Sequence, residues 1–133
     1  MDVARVLLDK GTWSWACFMA EEAVHAALRH LFALRDCYPH MRIGHMKLEL
    51  LAASLRFLFP SWRWSEDSEM QEMFHAAITL GPYYTDTRYP SPEGSHPMPY
   101  EAFTEEQATW AVAVASRALR AISERQVALA MSA

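Results

Sequence analysis

"GTWSWACFMAEEAVHAALRHLF", residues 11–32, decides the fold. After its opening glycine the stretch holds no proline and no second glycine. It is rich in alanine and leucine, which lose little on entering a helix. Its polar residues are not scattered. At 100° per residue, Ser14, Glu21, Glu22, His25, Arg29 and, just beyond, Asp36 fall within about one third of the circumference. Most of the remainder is apolar. The spacing predicts a central core helix, capped by Thr12 and running to about Asp36, with one polar stripe facing water.

Working outward, Asp2 to Lys10 reads as a short helix stopped by Gly11. "CYPHMRIG" (37–44) is a connection broken by Pro39 and Gly44. His45 to about Phe59 is a third helix, closed ahead of Pro60. "SWRW" (61–64) is a loop with two tryptophans. Ser65 or Ser68 then caps a fourth helix ending near Leu80, before Gly81-Pro82. Thr104-Glu105-Glu106-Gln107 is a capping box that opens a last helix reaching about Met131. There Trp110, Val114, Ala118, Ala121 and Ile122 share one face, and Arg117, Arg120 and Glu124 the other. The expected fold is all-α. It is an antiparallel up-and-down bundle of four main helices plus a short N-terminal helix, in a single domain over 1–133.

Composition agrees. The chain has 133 residues, 52% hydrophobic and 21% charged, enough to bury a core. Four glycines argue against a turn-rich β protein. A net charge of −4 gives no broad basic footprint for nucleic acid. Cys17 and Cys37 have no metal spacing and make no disulfide framework, and Cys17 reads as a small buried hydrophobe. The first residues are too acidic for a signal peptide, and no segment has the apolar length of a membrane span. A cytoplasmic protein is expected.

Some patterns could carry chemistry. Glu-x-x-His occurs at Glu22/His25 and Glu72/His75, the helical spacing by which a carboxylate and an imidazole grip a metal. Both pairs lie on polar faces, whereas a metal site in a bundle needs them pointing inward. Solvated faces are the simpler reading, and no metal or cofactor is expected. Arg35/His40 is an isolated Arg-x4-His. Trp13, Trp15, Phe18, Phe32, Trp62 and Trp64 read as core or loop anchors.

"YYTDTRYPSPEGSHPMP", residues 83–99, breaks the helical pattern. A long Tyr/Pro-rich loop before the last helix is usually functional or disordered. Its prolines lower the entropy lost on ordering. Tyr83, Tyr84 and Tyr89 offer flat faces, and Arg88 offers a planar fork for phosphate or carboxylate that can stack on a base. These four are the candidate ligand-binding residues. Otherwise the tyrosines lock the loop onto the bundle and Arg88 ties to a helix end.

Three stretches, in order, resemble the HEPN domain family. They are the Gly-aromatic-x-aromatic-Ala-Cys-Phe opening of residues 11–32, "GHMKLELL" (44–51), and "YYTDTRYPSPEG" (83–94) with its Thr-Arg-Tyr-Pro. The resemblance implies a helical bundle, often a homodimer, associated with nucleotide or RNA. It also implies work beside a minimal nucleotidyltransferase in a toxin–antitoxin-type pair. Active members are ribonucleases with an Arg-x4–6-His motif. Here the matching arginine is Arg88, and His96 follows seven residues later in between, one beyond that window. Arg88 and His96 are the candidate catalytic pair. The chain also departs in its short leading helix and in carrying His25 and Arg29 where acidic and lysine residues are common. The alternatives are a non-catalytic helical interaction module and a metal-independent ribonuclease. The exposed-looking tryptophans and the polar stripe of the central helix are the expected dimer surfaces.

Overall fold

The computed structural model describes residues 1–33, 47–58, 68–83 and 103–132. Among these there are five helices and no strand: α1 (Asp2–Asp9), α2 (Trp13–Ala33), α3 (Leu48–Leu58), α4 (Ser68–Leu80) and α5 (Glu105–Ser132). The all-α class expected from periodicity is what forms.

Local chemistry sets the helix ends. α1 closes in a Schellman motif. The Thr12 N–H donates to the Leu7 carbonyl at 3.0 Å, and the Gly11 N–H to Leu8 at 3.0 Å. This geometry puts Gly11 at φ 74°, where a side chain would be strained. The Thr12 hydroxyl also donates back to Leu7 at 2.8 Å. Its proton therefore seals the end of α1, where the sequence suggested a cap for α2. The start of α5 is the capping box read from the sequence. The Thr104 N–H donates to Gln107 Oε1 at 2.9 Å, and the Gln107 N–H to Thr104 Oγ1 at 3.2 Å. Glu105 and Glu106 occupy its first turn, where the helix dipole favours negative charge. α3 starts at Leu48 and not at His45. Ser68 is the first helical residue of α4.

One core cluster draws on all five helices. Its largest fully buried side chains are Phe32, Leu28, Leu31, Leu48, Leu51, Met73, Leu80 and Ile122. α2 and α5 make the most extensive pairing. Both present alanines to the core, Ala16 and Ala20 on α2, and Ala108, Ala111, Ala115, Ala118 and Ala121 on α5. Short side chains let two helices approach closely, so backbone and Cβ atoms fill space that larger residues would hold. α1 lies against α2 and α5. It buries Ala4 and is tied by Arg5 Nη2 donating to Ser116 Oγ at 3.1 Å.

The polar stripe of α2 is the main correction to the sequence reading. Its middle is turned away from water, with Glu22 and Arg29 half-buried beside it. Glu21 is 1% exposed, and Ser14 and His25 are buried as well. α2 is packed by α1, α3, α4 and α5, and the side it leaves to water carries Trp15, Ala26, His30 and Ala33, not the polar stripe. Glu21, Glu22 and His25 are each engaged in an interaction there. The aromatics are corrected too. Phe32 is buried and Trp13 half-buried, but Trp15 is 59% exposed and meets Phe18 edge-on at 5.6 Å.

Candidate functional site

The tyrosine-rich segment leaves α4 at Gly81 and rejoins the helices at α5. Tyr84, Arg88, Tyr89 and His96 lie outside the described residues, as do Arg35 and His40. Tyr83 and both flanks of the segment are described, so the base of the candidate site can be built.

On the α4 side, Gly81 is buried, and a Cβ there would overlap the Glu49 carboxylate from the first turn of α3. Glycine is needed for that close approach. Glu49 Oε2 is buried with no hydrogen-bond partner among the described residues. The Gly81 N–H closes the last turn of α4 by donating to Ala77 at 2.9 Å. Glu49 thus fits against the C-terminal end of the helix from which the segment departs.

On the α5 side, Phe103 is buried directly before the Thr104 cap. It holds the N′ position and Ala108, also buried, the N4 position of a hydrophobic staple, which fixes the angle at which the chain meets the helix. The two sides meet. The half-buried Tyr83 ring packs edge to face against Phe103, with centroids 5.1 Å apart and planes at 87°. The described residues on either side of segment 84–102 therefore touch through an aromatic contact. Sequence reasoning found Tyr83 but missed Phe103. The available signal was a bulky apolar residue immediately ahead of a capping box.

The Glu-x-x-His pairs do not converge. His25 is buried on α2, while Glu72 and His75 are exposed on α4. Among the described residues no group of three or more His, Cys, Asp or Glu side chains could hold a metal ion. His75 instead sets its ring edge against Trp110 of α5, with centroids 6.1 Å apart and planes at 88°. Arg117 lies over the same indole, 5.9 Å from its centroid. Trp110, read from the sequence as part of the apolar face, is 46% exposed. Burial pushes the Cys17 thiol up to about 12 by desolvating its charged form. A thiol so raised stays protonated and has no nucleophilic role at neutral pH. No helix among the described residues is long and apolar enough to cross a membrane.

Comparison with protein families matches the HEPN domain over residues 1–126. Comparison with curated proteins and with solved structures gives no match.

Proposed function

The chain belongs to the HEPN domain family, and from that premise we propose that it is a nucleotide- or RNA-associated protein. In this reading it acts in the cytoplasm as a homodimer, beside a minimal nucleotidyltransferase in a toxin–antitoxin-type pair. The observation that carries the reading is the contact between Tyr83 and Phe103 across the neck of segment 84–102. A segment held at both ends loses less entropy when it binds than one tethered at distant points. Its composition supplies what a nucleotide requires. Arg88 carries the planar cation for a phosphate or base, and Tyr83, Tyr84 and Tyr89 carry faces on which bases stack. The net charge of −4 fits local recognition at this segment better than broad electrostatic capture of a polyanion.

Ribonuclease chemistry is the second reading, favoured by the presence of Arg88 and His96 in one short segment. His96 would take the proton from the ribose 2′-hydroxyl as its oxygen attacks the phosphorus, the bond to the 5′-oxygen would break with that oxygen protonated from water, and Arg88 would stabilise the negative charge developing on the phosphate. A mixed RNA pool incubated without added metal separates the readings. Retention of RNA without cleavage supports binding. Cleavage that Arg88→Ala and His96→Ala each abolish supports catalysis. Neither retention nor cleavage, with or without the nucleotidyltransferase, would leave the non-catalytic interaction module.

A further inference from the structure

The outward face of α5 is self-complementary. Glu106, Trp110, Ala113 and Arg117 follow one another at spacings of four, three and four residues, so they form one stripe along the helix. All four are exposed. Charge is segregated along the helix. Glu105 and Glu106 stand at one end, Arg117 and Arg120 at the other, and a large residue and a small one lie between them. Beside Trp110 is an open surface depression lined by Thr104, Glu106, Thr109, Trp110 and Ala113, among others. Ile78 of α4, one turn beyond the His75 that meets Trp110, is 68% exposed and widens the apolar patch.

We propose that this face is where two copies of the chain meet, α5 against α5 in antiparallel register about a two-fold axis between Trp110 and Ala113. The proposal specifies the self-association put forward above and rests on that reading only for the existence of a dimer. An antiparallel pairing centred there sets each copy's Trp110 over the other's Ala113, a bulky ring over a methyl group. The same register sets Glu106 of each copy against Arg117 of the other, so one two-fold axis satisfies two ion pairs and two ring contacts. A parallel pairing would oppose like charges at both ends. Arg117 already lies over its own indole, so its cation is held on the stripe where a second copy's Glu106 would arrive. The stripe from Glu106 to Arg120 is about 20 Å long at the helical rise. Such a contact with a flanking isoleucine gives a small interface and a weak dimer.

The polar stripe of α2, named from the sequence as a dimer surface, cannot serve, because Ser14, Glu21 and His25 are inside the fold.

The test is a charge swap read by sedimentation equilibrium of the full chain at tens of micromolar. Glu106→Arg and Arg117→Glu each place like charges opposite one another twice per dimer. Each should raise the dimer dissociation constant by about tenfold or more. The double variant restores both pairs and should return the constant to near wild type. Ala113→Arg, on an exposed position where the monomer has room, should abolish the dimer while leaving the helical circular dichroism unchanged. A monomeric wild type would overturn the proposal, as would a dimer indifferent to these changes or a double variant no better than the singles. RNA retention measured on the same samples keeps the functional reading separate. A monomer that still retains RNA refutes only the interface.

Discussion

The Tyr83 ring stands edge-on to the Phe103 ring, with centroids 5.1 Å apart, so the residue leading into segment 84–102 touches the residue leading out of it. Phe103 is the buried partner and also sits at the staple position of α5. One residue therefore holds both the neck of the loop and the start of the longest helix. Phe103→Ala should cost about 3 kcal/mol or more in urea denaturation, from lost burial and the cavity left behind. Tyr83→Phe keeps the ring contact and should cost under about 1 kcal/mol. Equal losses from the two substitutions would show that the contact does not govern the neck.

A second prediction concerns Gly81. Its backbone is ordinary, so the need for glycine comes from the Glu49 carboxylate lying where a Cβ would stand. That carboxylate ends a flexible side chain and can move. Gly81→Ala should therefore destabilise by about 1 kcal/mol, against the stabilisation of up to about 1 kcal/mol expected for this change at an unobstructed helix end. Glu49→Ala combined with Gly81→Ala should recover most of the loss. Strict additivity in the double-mutant cycle would contradict the close approach.

A third prediction follows from the Cys17 thiol, raised from an ordinary 9.0 to about 12 by burial. Below about pH 9 the thiol is protonated in both states and its contribution is constant. From there to about pH 12 the unfolded chain releases the proton and the folded chain keeps it. Stability then falls with rising pH, at up to about 1.4 kcal/mol per unit. Cys17→Ala removes this titration. The difference in unfolding free energy between wild type and variant should shrink between about pH 8 and pH 10, and a constant difference would place the thiol in contact with water.

Much of the fold was legible in the sequence, because helix periodicity and capping chemistry are local. Gly11, the Thr104–Gln107 box and the absence of proline between residues 13 and 33 are readable one turn at a time. What escaped was non-local. The α2 stripe looked wet because it was polar, yet four other helices pack on α2 and its exposed side runs through Trp15, Ala26 and His30, and no single-helix pattern tells which sides are covered. Trp110 looked buried because it continues an apolar face, yet it lies at that face's edge, between His75 and Arg117. Gly81 looked like a plain helix stop, and the carboxylate it accommodates comes from α3. For the candidate site, the residue types were visible in the Tyr/Pro-rich stretch. That its two ends meet through Phe103 was not, because that contact depends on where α4 and α5 place their ends.

The fourth prediction separates recognition from architecture at Arg88. If Arg88 binds an anionic ligand, its guanidinium is available to that ligand, and Arg88→Ala should leave the urea midpoint within about 0.5 kcal/mol of wild type. If it is instead tied into the fold beside a buried acid, the substitution strands a charge and costs several kcal/mol. Arg88→Lys is informative in either case, since a point charge cannot reproduce a planar fork and should recover only part of the binding.

The most direct test of the account measures both properties on one preparation. Fluorescence anisotropy would follow labelled mixed-sequence single-stranded RNA titrated with wild type and with Arg88→Ala, alongside the urea midpoint of each. The account predicts saturable binding by wild type, a loss of at least about tenfold in affinity for the variant, worth some 1.4 kcal/mol, and an unchanged midpoint. Binding that is equal in both proteins would contradict it, as would a variant whose loss of binding merely follows a collapse in stability.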